Sequence, residues 1–193
     1  MSRVLVLVPL KPWGRAKSRL GSRYDAASRA RIAEALARRV LASLERAFPD
    51  ADRAIVGEGS LTEFARETNA RLIPEPEGAS LGEKLDATLE SQLWDVAFVV
   101  MGDLPDVDPD DLRTLAAVDG DVVLAEGVDG VGTNAIRLAH PRGIRLAFAE
   151  PSSCDVHESR AREAGLSVAR LRLASLARDL DRPSDLAPGE EPI

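Results

Sequence analysis

Short aliphatic runs alternate with longer amphipathic stretches along most of this chain. The run at residues 4–8 contains only Val and Leu, which is typical of a strand buried on both faces. Over residues 25–48, apolar side chains recur three and four positions apart, with Asp25 placed to act as the N-cap and Pro49 to end the helix. This part of the sequence therefore predicts a buried strand, an irregular connection and a long helix.

The same alternation continues towards the C-terminus. Further strands are predicted at residues 54–56, 71–73, 96–101, 122–124, 135–138 and 168–173. Helices are predicted at 60–68, 80–94 and 152–165, each opening on a Ser followed three residues later by Glu or Asp, and another begins at Asp108 with Pro109 in its first turn. Roughly six strands interleaved with helices predict an α/β fold with an open, mostly parallel sheet that binds ligands at the carboxyl ends of its strands.

Composition limits the classes of function. The 193 residues, 45% of them hydrophobic, suffice for one domain over residues 1–186, followed by a flexible Pro/Gly/Glu-rich tail at 187–193. A net charge of −7 argues against broad nucleic-acid binding. Cys154 is the only cysteine, which excludes an intrachain disulfide and suits a reducing compartment. The opening apolar run is too short for a membrane span, so we expect a soluble protein, and the single cysteine places our expectation in the cytoplasm.

A basic loop follows the first strand. Lys11, Arg15, Lys17 and Arg19 fall within nine residues, and two of the chain's three lysines are among them. Because this loop leaves the ligand-binding edge of the sheet, its cations are placed to bind phosphate groups. The alternative is a solvated basic loop without a ligand.

A second candidate site is Asp103, directly after the strand at 96–101. A carboxylate at this edge is placed to bind Mg2+, which prefers one or two carboxylates together with phosphate oxygens. Asp179 and Asp181, after the last strand, are candidates for a second ligand. The alternative is that Asp103 only starts a turn and that the other two are loop acids.

A third candidate site for a phosphate or a carboxylate consists of Gly132-Thr133-Asn134 and of Ser152-Ser153 at a helix start. The alternatives are a plain turn and an N-cap serine. We expect His157 to lie on the surface and Cys154 to be a packed residue. The chain contains no GxxxxGK[ST], GxGxxG, HExxH or GxSxG motif, which argues against P-loop hydrolysis, dehydrogenation, zinc proteolysis and serine hydrolysis.

Five segments together resemble the 2-phospho-L-lactate (or phosphoenolpyruvate) guanylyltransferases of coenzyme F-420 biosynthesis. They are PLKPWGRAKSRL at 9–20, GDLP at 102–105, GTNAIRL at 132–138, PSSCDVHESRAREAGL at 151–166 and RDLDRPSDL at 178–186. The resemblance implies a Rossmann-like nucleotidyltransferase (GT-A-like) three-layer sandwich with a mostly parallel central sheet. It also implies transfer of GMP from GTP to a small phosphorylated acid, with release of diphosphate.

The resemblance also implies roles for individual residues. Nucleotide binding falls to Lys11, Arg15, Lys17, Arg19 and Ser80, acceptor binding to Thr133, Ala149 and Ser152, metal binding to Asp103 and Asp181, and catalysis to Lys17 and Asp103. Asp179 remains an alternative to Asp181 as a ligand of Mg2+ or Mn2+. The partners are then GTP and a phosphorylated acid, and a homodimer is a reasonable assembly.

Two departures from the family pattern concern specificity. Gly82 stands where the family usually has Asn, and Ala149 follows Phe148 where a Gly-rich stretch is expected. Phospholactate, phosphoenolpyruvate and phosphoglycerate all remain open as acceptors. Two other readings are a nucleotidyltransferase for a molybdopterin or sugar-acid acceptor, and a non-catalytic nucleotide-binding module.

Overall fold

The aliphatic runs pair into one sheet. The computed structural model describes residues 2–77, 80–140, 143–148, 150 and 152–186. Within them the strands are β1 Val4–Pro9, β2 Asp52–Gly57, β3 Arg71–Pro74, β4 Val96–Val100, β5 Val122–Glu126, β6 Thr133–Ala139 and β7 Val168–Leu171. The α-helices are α1 Ala26–Ala47, α2 Thr62–Glu67, α3 Leu81–Glu90, α4 Pro109–Ala117, α5 Ser153–Glu163 and α6 Ala174–Ala177. The predicted tail at 187–193 and the candidate residue Ala149 lie outside the described residues.

The strand order is β3-β2-β1-β4-β6-β5-β7, and β6 alone among these strands runs antiparallel to its neighbours. The prediction of an α/β fold with a mostly parallel sheet is therefore confirmed. Because β6 is reversed, it begins at the edge where β1 and β4 end. The Met101 N–H, just past β4, donates to the Asn134 carbonyl at 2.9 Å and fixes this alignment.

Successive residues of β1 bury opposite faces, as the uninterrupted Val/Leu run predicts. Val6 and Val8 pack into one core cluster with α1 and α4, whereas Leu5 and Leu7 pack into another with α3 and α5. Each fully buried Val or Leu stabilises the fold by about 1.5–3 kcal/mol. The result is three layers, with helices on both faces of the sheet.

The predicted helix starts are confirmed where a side chain caps the backbone. The Asp25 carboxylate accepts from the Ser28 N–H at 2.7 Å, and Asp108 caps α4 ahead of Pro109. Ser80 and Glu83 form the predicted capping box at the start of α3. Gly165 ends α5 at a φ of +71°, a conformation that favours glycine.

One predicted helix start is wrong, and one predicted side-chain cap does not form. Ser60 lies in the 3-10 turn Gly59–Leu61, and α2 begins only after it. Ser152 is the N-cap residue of α5, as predicted, but its side chain makes no capping hydrogen bond, and the Asp155 carboxylate pairs with Arg170 at 2.7 Å.

Two predicted elements are shorter than expected. Helix α3 stops at Glu90 rather than at Trp94, whose indole N–H donates to the Leu89 carbonyl from a buried position. Strand β7 ends at Leu171, before the predicted residue 173. Over the described part of the chain, no helix combines the length and the apolar content that crossing a membrane requires.

Candidate active site

The ends of β1 and β4 bring the basic loop and Asp103 together. After β1, the Leu10 N–H donates to the Val56 carbonyl at 3.0 Å, which carries the basic loop across the end of β2. After β4 the chain passes directly under Leu10 at Gly102, where an added Cβ would lie 2.3 Å from a Leu10 methyl group. The glycine therefore permits the close approach of these two connections.

Lys17 lies at the centre of this arrangement. Its backbone is left-handed (φ +52°, ψ +36°), a conformation that is strained for a residue other than glycine. The side chain is only 6% exposed, and its Nζ lies 2.6 Å from Asp103 Oδ2 and 3.1 Å from Asp181 Oδ1. Burial alone would lower the pKa of this ammonium, but the charges and hydrogen bonds of the two carboxylates outweigh burial and raise the pKa above its ordinary value. Lys17 is therefore fully charged at neutral pH.

Three acids share the site. One oxygen each from Asp103, Asp179 and Asp181 lies within 4.8 Å of the others. Burial, followed by repulsion from the other two acids, raises the pKa of Asp179 to about 6. Burial acts in the same direction on Asp181, but Lys17, together with Arg19 and Lys11, outweighs burial and lowers the pKa of that carboxyl.

The acid cluster has the properties of a divalent-cation site. Asp103 Oδ1 is buried and has no hydrogen-bond partner among the described residues, although a buried carboxylate oxygen normally has one. Closely spaced carboxylate oxygens are the donors that Mg2+ and Mn2+ prefer. The structure brings both Asp179 and Asp181 to Asp103, whereas the sequence analysis treated Asp179 as an alternative to Asp181.

Two side chains hold the C-terminal acids in place: Asn134, which the sequence analysis named only as part of a phosphate or carboxylate site, and Arg178, which it did not single out. Asn134, 6% exposed, donates from Nδ2 to the carbonyls of Leu176 and Ala177 at 2.9 Å each. Arg178 pairs with Asp106 through two contacts of 2.7 and 3.0 Å. The segment that carries Asp179 and Asp181 is thus anchored to β6 and to the connection after β4. The sequence gives no sign of these anchoring contacts beyond the positions of Asn134 next to Thr133 and of Arg178 next to Asp179.

The acids and the basic loop line a cleft of about 610 Å³. Among the predicted site residues it contains Lys11, Lys17, Arg19, Ser80, Asp103 and Asp181. Arg19 also pairs with Asp181 at 3.0 Å. Arg15 instead pairs with Glu58 and is not among the described residues that line the cleft, so its role in nucleotide binding stays a prediction.

Thr133 begins β6 beside this edge but points into a buried network. Its N–H donates to Ser153 Oγ at 2.9 Å, and its Oγ1 lies 3.0 Å from His157 Nδ1. Ser152, the serine predicted to bind the acceptor, is half-buried and lies next to Ser153. Neither Thr133 nor Ser152 is among the described residues that line the cleft, so their contact with an acceptor stays a prediction.

The expectation that His157 lies on the surface is wrong, since the side chain is fully buried. Its Nε2 accepts from the Ala147 N–H at 2.8 Å, which places the ring proton on Nδ1 and makes Nδ1–H the donor to Thr133. Burial, reinforced by the nearby charge of Arg160, lowers the pKa of His157 to about 4. The ring also contacts Phe148 edge-on at 5.1 Å between centroids, and Phe148 lines the cleft.

Gly82 has a steric reason to be glycine. A Cβ at this position would lie 2.3 Å from the Leu146 carbonyl oxygen, because the first turn of α3 packs directly on that backbone. The Leu146 N–H in turn donates to the Asp86 carboxylate at 3.2 Å. The asparagine usual in the resembling family does not fit here without moving one of the two segments.

Comparisons with known proteins show the family of the chain. A family model described as "Guanylyl transferase CofC like" matches residues 4–189. The chain is 31% identical to a phosphoenolpyruvate guanylyltransferase of Sphaerobacter thermophilus, covering 94% of this chain and 90% of that protein. It is 33% identical to a 3-phospho-D-glycerate guanylyltransferase of Phenylobacterium zucineum, covering 88% and 82%. It is 34% identical to a 2-phospho-L-lactate guanylyltransferase of Haloferax volcanii, covering 88% and 77%.

A solved structure supports the fold. Glucosyl-3-phosphoglycerate synthase of Mycobacterium tuberculosis, solved with Mn2+, uridine diphosphate and glucosyl-3-phosphoglycerate, superposes with a TM-score of 0.63 at 16% identity. The superposition covers 95% of this chain and 74% of that one. The family model spans nearly all of the chain, and with the full-length relatives it assigns this protein to the guanylyl transferase CofC-like family of nucleotidyltransferases.

Proposed function

We propose that this protein transfers GMP from GTP to a small phosphorylated three-carbon acid and releases diphosphate. The observation that carries the proposal is the cleft in which Lys11, Lys17 and Arg19 face Asp103 and Asp181. A triphosphate needs several cations, and a nucleotidyl transfer needs acids that hold a divalent ion beside them. The same proposal assigns this protein to coenzyme F-420 biosynthesis.

Each part of the cleft has a distinct task in this reaction. Lys11, Lys17 and Arg19 bind the phosphates of GTP and neutralise the charge that would otherwise repel an anionic acceptor. Asp103, with Asp179 and Asp181, would hold Mg2+ or Mn2+, which adds further positive charge at the reacting phosphate when bound.

The chemistry needs no protein nucleophile. A phosphate oxygen of the acceptor attacks the α-phosphorus of GTP, the bond between the α-phosphorus and the bridging oxygen breaks, and diphosphate leaves with that oxygen. The attacking phosphate is already an anion, so no side chain has to remove a proton. Catalysis then consists of alignment and charge stabilisation by the side chains of the cleft.

The acceptor side is proposed to lie towards β6. The three relatives' names give phosphoenolpyruvate, 3-phospho-D-glycerate and 2-phospho-L-lactate, which are all three-carbon acids with one phosphate and one carboxylate. We propose that Thr133 and Ser152 bind such an acid, because β6 and the start of α5 flank the Asp103 edge. Ala149 is part of this proposal on the resemblance of the sequence alone. Phe148 would close the cleft above it.

Diphosphate release is the direct test. GTP, ATP and CTP would each be combined with the three acids in the presence of Mg2+, and we expect release with GTP and at least one acid. Asp103→Asn should abolish diphosphate release, whereas Asp119→Asn, at an exposed acid just before the start of β5, should not. If the Asp103→Asn variant still releases diphosphate, the Asp103 carboxylate is not required for the reaction. Silence across the whole grid from folded protein would favour a non-catalytic nucleotide-binding module or a different acceptor.

A further inference from the structure

The cleft extends beyond the acids and the basic loop to the ends of β2 and β3. Glu75, the first residue after β3, lines it together with Lys84 of α3. Lys84 Nζ lies 3.0 Å from Glu75 Oε1, and the two side chains are 25% and 31% exposed. The Glu75 N–H donates to the Gly57 carbonyl at 3.0 Å, which fixes the strand end that carries the carboxylate.

The lysines of this chain are concentrated in the cleft. The sequence has 25 basic residues, of which only Lys11, Lys17 and Lys84 are lysines, and all three line the cleft. Lys11 and Lys17 belong to the phosphate side. Lys84 lies on the other side, paired with a carboxylate, and therefore calls for a separate explanation.

The end of the cleft at Glu75 is unsuited to phosphate. A carboxylate repels phosphate oxygens. Two apolar residues of the lining belong to this end, Val56, which pairs with Ile73 of β3, and Leu81, which lies one turn before Lys84 in α3. In the sheet β3 is three strands from β4, which places Glu75 about 14 Å from the Asp103 edge at the usual spacing of neighbouring strands. An apolar slot with a polar end, at this distance from the phosphate site, suits the base of the bound nucleotide.

We propose that Glu75 and Lys84 together select guanine. The inference rests on the proposed function, because it takes GTP to be the donor. Guanine presents a carbonyl acceptor, O6, next to two donors, N1–H and the N2 amino group. The Lys84 ammonium donates to O6, and the Glu75 carboxylate accepts from N1–H and N2–H. An ammonium has three N–H donors and a carboxylate has two acceptor oxygens, so both retain capacity while paired with each other.

The same pair rejects adenine and cytosine. Each of these bases has an amino group where guanine has O6, and a bare ring nitrogen where guanine has N1–H. The amino group would then face the ammonium and the ring nitrogen would face the carboxylate, so that both contacts become repulsive. Specificity here comes from the mismatch as well as from the match.

Nucleotide binding measured by calorimetry tests the proposal without depending on turnover. GTP, ITP and ATP would be titrated into the protein with Mg2+ present. ITP lacks the N2 amino group but keeps O6 and N1–H. It therefore distinguishes the contact of Glu75 with the N2 amino group from the contact of Lys84 with O6. We expect the order GTP, ITP, ATP from tightest to weakest for the unchanged protein.

Two variants report on the two contacts. Glu75→Gln should weaken GTP binding about ten- to hundred-fold and bring GTP and ITP close together, because it removes the charged acceptor that distinguishes them. Lys84→Met keeps the aliphatic stem and should weaken GTP and ITP by the same factor, since both carry O6. Glu77→Gln is the matched control, because Glu77 is exposed in the same connection and is not among the described residues of the cleft lining.

The outcomes separate this inference from the proposed function. Unchanged GTP:ITP and GTP:ATP ratios in both cleft variants would overturn the inference and leave the pair as an ordinary ion pair between β3 and α3. A protein that binds GTP and ATP equally would overturn it as well. Selective binding of GTP that is lost in the variants would support it, even if the acceptor grid gave no diphosphate and the proposed reaction failed.

Discussion

Replacing His157 should remove a pH dependence from the stability of this fold. His157 is fully buried and neutral, with Nε2 accepting from the Ala147 N–H and Nδ1–H directed at Thr133. Its pKa is lowered from 6.5 to about 4, chiefly by burial. Because the folded pKa lies below the unfolded one, the unfolded chain binds the proton more readily. The stabilisation is therefore complete above pH 6.5 and is lost as the pH falls towards 4.

The magnitude follows from these two pKa values. Between pH 7 and pH 5 the buried histidine should reduce the free energy of unfolding by about 2 kcal/mol, at roughly 1.4 kcal/mol for each pH unit below 6.5. Asp179 opposes this trend, because its pKa is raised to about 6 and its protonation on acidification favours the folded state. The wild-type curve alone is thus a mixture, and the difference between wild type and a variant isolates the histidine.

The assay is urea unfolding of wild type and His157→Gln at pH 7 and pH 5, followed by tryptophan fluorescence. At pH 7 the variant should be less stable by about 1–3 kcal/mol, because a buried N–H loses a well-aligned partner. At pH 5 the gap should narrow by about 2 kcal/mol. His140→Gln is the matched control, as His140 is the only other histidine of the chain. An equal gap at both pH values would refute the assignment of a buried, neutral His157.

Three further changes test the site and its supports. Lys17→Met should reduce kcat/KM for GTP by roughly ten-fold or more, since a charge-assisted phosphate contact contributes about 1.5–3 kcal/mol. Calorimetry without nucleotide should also show tighter Mn2+ binding by this variant, because the acids lose the ammonium that pairs with them. Gly82→Asn should destabilise the fold by about 1–3 kcal/mol in thermal unfolding, because the new Cβ would lie 2.3 Å from the Leu146 carbonyl oxygen. Gly59→Ala is the control and should be close to neutral, because a Cβ there has no atom within 4 Å. Asn134→Ala should weaken Mn2+ binding several-fold in the same calorimetric assay, because it removes the two hydrogen bonds that anchor the chain just before the C-terminal acids. Unchanged Mn2+ affinity would show that Asn134 does not position these acids.

The elements that the sequence predicted well are those governed by short-range patterns. The Val/Leu run of β1 and the periodicity of α1 fix both elements, and Asp25 caps the helix as expected because its partner is only three residues away. At Ser152 the predicted N-cap position is correct, but the reciprocal side-chain bonds do not form, and the Asp155 carboxylate pairs with Arg170 instead. That competition comes from β7, which is distant in the sequence, and no local motif reports it.

The candidate site divides in the same way. Motifs placed the basic loop and Asp103 at the same edge, because both follow strands of one parallel sheet. The pairing of Lys17 with Asp181 spans 164 residues, and it depends on how the last segment folds back over the edge. His157 was misjudged because its burial is decided by the connection at 146–148, whose own position depends on Gly82. Such contacts follow from packing of the whole chain and not from a local pattern.

The anchoring of the three acids and the position of Lys17 link the binding of a divalent cation to the binding of a triphosphate. Asp103 is held through its carbonyl by the Leu180 N–H at 3.1 Å, and Asn134 fixes the segment before Asp179, so the carboxylates are anchored. Lys17 is a long side chain that pairs with these same acids. It cannot neutralise both the acids and a triphosphate at full strength. A divalent cation on the acids would release the ammonium towards the phosphates, and phosphates that engage the ammonium would free the acids for the cation. Each ligand should therefore raise the affinity for the other by the same factor, as linkage requires.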